Sequence, residues 1–413
     1  MDYDKLSKVF YKYDSKKHRD EYEKRLNSYG AYHTNLHVNP FRKGRTESHS
    51  ESLFFVHVDK LAKLYEEVLM NSCKIQLAVK ELPPFAVEPY FHKLIVNEAQ
   101  SNNEIEGVRS TKEELSNVLD SIHDSKSSAK KRFLGMMKTY NYIDKLEPIQ
   151  TVEDFRKLYD ELVADEIPKR KQPDGNYFRA KGATITDGFK ITHRGVEPEA
   201  KINEKLTDLI NFLNVSEIPD LYKYFIAHYF YEYIHPFYDG NGRTGRLLVC
   251  SYVSRKLERY SAITLSYAIN NDKLKYYKAL ENVSDPLNKG ELTFYLMDML
   301  EILSSGQNTI IEDLQLGLAK AQRIKEYIKS INWAVNDNLL KFVLHVQLDI
   351  TVFAGEDRIL SNAELVKVSG ESSHKINKVM NELETRNVVY LVKSRPKTYA
   401  INDQFIENIF KNA

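Results

Sequence analysis

The stretch Ile234-His235-Pro236-Phe237-Tyr238-Asp239-Gly240-Asn241-Gly242-Arg243-Thr244-Gly245-Arg246 interrupts an apolar region and restricts what the chain around it can form. Leu221, Tyr224, Phe225, Tyr229, Phe230 and Tyr233 precede it at helical spacing, after Pro219-Asp220. Leu247-Leu248-Val249-Cys250 follow it as the apolar start of a second helix. The pattern predicts helix, loop, helix, with the polar residues collected at the turn. Gly240-Asn241-Gly242-Arg243-Thr244-Gly245 also satisfies the GxGxxG pattern of dinucleotide-binding proteins. That pattern has its mechanical meaning only after a β-strand in a βαβ unit. Here a helix and His-Pro precede it, so a Rossmann fold is excluded.

The residues of the turn suit anion chemistry. Gly240 and Gly242 permit positive φ, which would let successive N–H groups converge on an anion at a helix N-terminus. Arg243 and Arg246 lie three apart on the first turn and share a face. Asp239 is an oxygen ligand of the kind that holds Mg²⁺ jointly with phosphates. Asn241 is expected to donate its amide to a phosphate oxygen, and His235 to take a proton from an attacking hydroxyl. This set describes phosphoryl or nucleotidyl transfer, in which positioning and charge neutralisation do most of the catalysis.

The string HPFYDGNGRTGR matches every fixed position of HPFxxGNGRxxR and resembles the signature of the Fic family. The resemblance implies a mainly α fold: a Fic-type helical bundle with a small β-hairpin flap. It implies transfer of AMP from ATP–Mg²⁺ to a hydroxyl of a target protein. His235 would be the general base and Asp239 the Mg²⁺ ligand. Asn241, Gly242, Arg243, Gly245 and Arg246 would hold the phosphates, and Phe237 would anchor the loop. Ser101-Asn102-Asn103-Glu104-Ile105-Glu106-Gly107 resembles the family's inhibitory motif [S/T]xxxE[G/N], with Glu106 and Gly107 at its end and Asn102 departing from its first position. By that resemblance Glu106 pairs with Arg246 and occupies the γ-phosphate space. AMP removal, or transfer of another phosphate-containing group, stays open as an alternative reaction, as does a DNA-binding regulator with a nucleotide-sensing core.

Asp187-Gly188 between Thr184-Ile185-Thr186 and Phe189-Lys190-Ile191-Thr192-His193 reads as a hairpin. It matches the place of the family's flap, which would dock the target's backbone by strand addition. Tyr276-Tyr277 resembles the stretch that flanks the adenine.

With 413 residues, two to three domains are expected. The readings above assign 1–145 to an N-terminal helical regulatory region, with the inhibitory helix near 89–107 opened by Pro89. They assign 146–304 to the catalytic core, 305–337 to a connecting helix and 338–413 to a winged helix-turn-helix. The first fifty residues, with weak periodicity, read as a loosely packed or partner-dependent arm. Asp124 to Arg132 reads as a polar turn. In the tail, helices led by Leu339 and Ser361 and a third from Ser372 to Asn387 precede strands at 388–392 and 398–401 around a basic tip.

The chain has 59 Lys+Arg against 58 Asp+Glu, which argues against binding nucleic acid or membrane by bulk charge. Residues 361–413 carry eight basic and six acidic side chains, so DNA binding by the tail is left open, as is a homodimer. No stretch approaches the ~18 apolar residues of a membrane span. Cys73 and Cys250 form no CxxC spacing, and a cytoplasmic protein is expected. The expected partners are ATP and a hydroxyl-bearing target protein.

Overall fold

The computed structural model of the protein describes residues 3–123, 132–186, 190–334, 337–355 and 359–411. The turn expected at Asp124–Arg132 and the hairpin tip at Asp187 and Gly188 lie outside them, apart from Arg132. The chain forms two compact units, each discontinuous in sequence. One comprises 1–72 and 95–307, the other 73–94 and 308–413.

In the first unit, α1 (Leu6–Lys12) and α2 (Ser15–Leu26) lead into the antiparallel pair β1 (Ala31–Val38) and β4 (Glu51–Val56), which enclose the short ladder of β2 (Phe41–Arg42) and β3 (Arg45–Thr46). The expected loose arm is therefore corrected. Leu6, Leu36, Phe54 and Phe55 are buried, and the buried Arg25 donates to Glu291 at 2.8 Å while its guanidinium lies over the Tyr3 ring. These residues order through partners almost the length of the unit away, which local periodicity does not register. The 1–145 region is also not purely helical.

Helix α3 (Asp59–Lys80) is followed by α4 (Pro84–Ile105), which begins at Pro84, five residues before the expected start. Pro84 suits the first turn, where its missing N–H is no loss. Pro89 lies inside the helix and removes one bond without ending it. Then come α5 (Lys112–Asp120), α6 (Leu134–Asn141), α7 (Val152–Leu162), strands β5 (Thr184–Thr186) and β6 (Ile191–Arg194), α8 (Glu199–Val215), α9 (Asp220–Ile234) and α10 (Asn241–Lys256). Helix α10 is buried along 241–254, on every face, and so is the centre of this unit. Short helices α11 (Arg259–Ala262) and α12 (Leu265–Asn271), then α13 (Lys273–Ser284), complete the layer around it.

Helix α14 (Thr293–Ser330) runs for 38 residues and crosses the expected boundary at 304/305 without a break. Gly306, a residue that weakens helices, persists there because a Cβ would fall 2.6 Å from Thr264 Oγ1. Helices α3, α4 and α14 each contain residues of both units.

In the second unit, α15 (Asn338–Ala354), α16 (Asn362–Ser369) and α17 (Ser373–Thr385) precede the antiparallel pair β7 (Val389–Ser394) and β8 (Lys397–Ile401), and α18 (Asp403–Lys411) closes it. Ser361 and Glu364 form a capping box on α16, and Gly370 ends it at φ +70°. Leu340, Val343, Leu344, Ile376, Met380, Leu383 and Tyr399 make its core. Among the described residues, no helix is long and apolar enough to cross a membrane.

Candidate active site

Helix α9 ends at His235, which adopts a left-handed backbone (φ +52°). A non-glycine residue holds that conformation only where its surroundings impose it. The buried Arg179 does so. Its Nε donates to the His235 carbonyl at 2.9 Å, Nη1 to Lys181 at 2.8 Å, and Nη2 to Val196 at 2.7 Å. A cation on the last carbonyls also suits the negative end of the helix. Phe237 then turns inward, stacked on Tyr159 with centroids 3.7 Å apart and edge-on to Phe178. Gly240, at φ +83°, starts α10.

Four of the expected site residues have further contacts in the fold. One N–H of the Asn241 amide donates to the Phe237 carbonyl at 2.8 Å, and the amide carbonyl accepts from the Phe237 N–H at 2.9 Å. It locks the loop. Gly242 is helical and lacks positive φ; its value is space, since a Cβ would lie 2.2 Å from Glu106 Oε1. Gly245 faces α9 instead of the anion, with Glu232 Oε1 2.3 Å and Tyr231 2.9 Å from where a Cβ would be. It permits close packing of α9 and α10. Tyr276 is a core residue, 1% exposed, whose hydroxyl meets His228 Nε2 at 2.8 Å; Tyr277, 42% exposed, has ring surface to offer a ligand.

Helix α4 reaches the loop along one face. Glu98, Asn102 and Glu106 are spaced four apart and stack along it. Glu98 accepts from the N–H groups of Ser266 and Tyr267 at 2.9 Å, at the start of α12. Asn102 Oδ1 accepts from Arg246 Nε at 2.7 Å, and its Nδ2 donates to the Tyr140 hydroxyl at 2.8 Å. The departure from the family motif at Asn102 thus leaves the helix docked. Replacing Asn102 with Ala should lower stability by about 1–3 kcal/mol, by stranding these buried partners. Urea denaturation with unchanged slope would measure it. Arg246 Nη2 donates to Glu106 Oε1 at 2.8 Å, and Gly107 ends the helix immediately afterwards at φ +69°. The Glu106 carboxylate therefore lies over the bare Cα of Gly242, where the first-turn N–H groups of α10 and Arg246 favour negative charge.

The second arginine is also occupied. Arg243 Nη1 donates to Glu166 Oε2 at 2.8 Å, and Asp239 Oδ2 accepts from Lys171 Nζ at 2.6 Å. Burial pushes the Glu166 carboxyl up, against the opposing pull of Arg243. Burial also pushes the Glu232 carboxyl up to about 8. The His235 imidazole is driven down to about 3, first by burial and then by His193 and the Arg179 charge. Its Nδ1 makes no full hydrogen bond among the described residues, and the Glu232 backbone pulls on it only weakly. His235 should therefore stay neutral between pH 5 and 8, a range that brackets the ordinary histidine value of about 6.5. Its NMR ring signal, assigned by loss in His235→Ala, should not shift over that range; titration near 6.5 would contradict this.

Arg179, Glu166 and Glu232 carried no sequence signal. Each acts through a fold contact, and none belongs to a motif or a periodic run. Strands β5 and β6 pair antiparallel, Thr184 opposite Arg194 and Ile185 opposite His193, with a bulge after Ile185. Among the described residues, no cluster of three or more His, Cys, Asp or Glu side chains could cage a metal. Asp239 is a lone, partly exposed carboxylate, which fits Mg²⁺ held by one protein ligand together with phosphates and water.

Residues 149–253 match the model of the Fic/DOC family. Among solved structures, the chain is similar to a Fic family protein from Desulfovibrio desulfuricans G20, at 17% identity over 84% of this chain and 98% of that one, with a TM-score of 0.53. It also matches a Fic domain containing signaling protein from Bacteroides thetaiotaomicron VPI-5482, at 18% identity over 62% of this chain and 96% of that one, with a TM-score of 0.41. His235, Asp239, Arg243 and Arg246 all lie within the residues that match the Fic/DOC family model.

Proposed function

We propose that the protein is a self-inhibited adenylyltransferase that moves AMP from ATP to a Ser, Thr or Tyr hydroxyl of a target protein. The observation that carries this reading is the Glu106 carboxylate on Arg246 and over Gly242, in a place built for an anion. A buried arginine beside helix N–H groups attracts phosphate, and a carboxylate already there competes with it.

The chain's own groups suffice to describe the work. Arg246 and the first turn of α10 bind the outer phosphates once Glu106 leaves, and Arg243 adds a second guanidinium. Asp239 would hold Mg²⁺, whose charge when bound offsets that of the polyphosphate. Neutral His235 has a lone pair ready for the attacking hydroxyl's proton. The hydroxyl oxygen bonds to the α-phosphorus, the bond to the bridging oxygen breaks, and pyrophosphate leaves. Arg179 and Asn241 touch no substrate in this scheme; they hold the loop. The paired strands around Thr184–Thr186 and Ile191–Arg194 offer an edge on which a target segment would align.

The product distinguishes this reaction from others on the same site. With ATP, magnesium and an acceptor protein, Glu106→Gly protein should release pyrophosphate. Release of orthophosphate alone would overturn the reading in favour of γ-phosphoryl chemistry.

A further inference from the structure

We propose that the segment Ala164–Lys171 is a second, substrate-mimicking clasp on the same loop. In it Glu166 stands where a nucleotide phosphate would, and Lys171 where a divalent cation would. The inference rests on the nucleotide-binding reading above and extends its regulation to the other arginine.

The two groups expected to meet substrate, Arg243 and Asp239, are both engaged by this one segment, each by a side chain of opposite charge. Glu166 ends one 3-10 turn (Ala164–Glu166) and Lys171 ends the next (Lys169–Lys171). The contacts are 2.8 Å to Arg243 and 2.6 Å to Asp239. The segment is anchored between them. Val163 and Ile167 are buried, and a Cβ on Gly240 would lie 2.9 Å from Val163 Cγ2 and 3.6 Å from Ile167 Cδ1. Only glycine at 240 lets the segment approach the start of α10 so closely.

The two arms differ in solvation. Arg243 and Glu166 are 2% and 9% exposed at their side chains, whereas Lys171 and Asp239 are 46% and 30% exposed. The first is a buried exchange of one anion for another. The second is a surface pair that a divalent cation displaces easily. Arg243 Nε, buried and without a partner among the described residues, is a donor that Glu166 leaves unused. The clasp is separate from Glu106, which acts from α4 on Arg246. A metal-bound polyphosphate thus meets three internal mimics, two anionic and one cationic.

Calorimetric titration of the full chain separates the arms. Glu166→Gln should bind metal-free ATP about fivefold or more tightly than wild type. Lys171→Ala should bind metal-free ATP no more tightly, yet bind Mn²⁺ in the presence of ATP about two- to fivefold more tightly. Glu166→Gln that keeps the wild-type Tm but binds ATP no more tightly would overturn the clasp. So would Lys171→Ala with unchanged Mn²⁺ affinity, a test that survives if Glu166→Gln fails to fold, because Lys171 is at the surface. Glu106→Gly is the control for the underlying reading. If it binds ATP more tightly and the clasp variants do not respond, the clasp alone fails. If none of the three responds, the nucleotide-binding reading fails with it.

Discussion

His235→Ala is expected to lower AMP transfer by roughly 10²–10⁴-fold while leaving ATP affinity within about twofold of wild type. The two halves of this result have separate causes. His235 contributes a neutral ring nitrogen, kept neutral by burial and by the neighbouring Arg179 charge. It contributes nothing to the phosphates, which fall to Arg243, Arg246 and the first turn of α10. The left-handed backbone at 235 is imposed by hydrogen bonds to the main chain: Arg179 Nε holds the His235 carbonyl and the His235 N–H reaches Tyr231. Alanine can make both bonds, accepting one at its carbonyl and donating the other from its N–H, at the cost of positive φ on a residue with a Cβ. A large loss of rate with intact ATP binding is therefore the signature of a proton acceptor. A parallel loss of ATP binding would instead mean that the ring shapes the loop.

Glu106→Gly is expected to raise transfer about five- to 150-fold, the range of an ordinary coupling between two sites. The lower part of that range is favoured by geometry, because Glu106 keeps 29% of its side chain exposed while Arg246 keeps 1%. A half-solvated carboxylate binds its partner less strongly than a fully buried one. The same substitution should lower stability. It removes a charge-assisted bond from a buried arginine and places two glycines in succession at the end of α4, which frays by about 1 kcal/mol. Activity and stability then move in opposite directions. That opposition is what an inhibitory contact produces and a merely structural salt bridge does not. Asn102 and Glu98 should hold α4 in place throughout, through Arg246, Tyr140 and the start of α12.

How far the site was legible from sequence follows the range of its contacts. The loop from His235 to Arg246 is local: three glycines, two arginines and an aspartate within eight residues state their chemistry by spacing alone. Asn241 and Gly245 sit among the expected phosphate contacts, and the fold gives each a further role: Asn241 bonds to Phe237, and Gly245 makes room for Glu232 and Tyr231. Side-chain direction on a helix decides this, and it was not available until α10 was placed against α9. Arg179, Glu166 and Lys171 come from loops and short 3-10 turns without periodicity, and their roles exist only once the chain has folded. The packing of the N-terminal fifty residues is illegible for a similar reason. Tyr3 and Arg25 find Glu291 only at the far end of the same unit. The apolar faces of α9, α15 and α17 are legible in the sequence, whereas those of α1 and α2 are not. The ends of the long helices are less legible, as Pro89 inside α4 and Gly306 inside α14 illustrate.

The proposed function requires that the loop from His235 to Arg246 transfers AMP and that Glu106 restrains it. Incorporation of label from ATP marked at the α- or the γ-phosphate tests both parts together, using wild type, Glu106→Gly and Glu106→Gly/His235→Ala. Protein-bound α-label that rises in Glu106→Gly and vanishes in the double variant is the predicted result. Protein-bound label from the γ-position only, or α-label no higher in Glu106→Gly than in wild type, would contradict it.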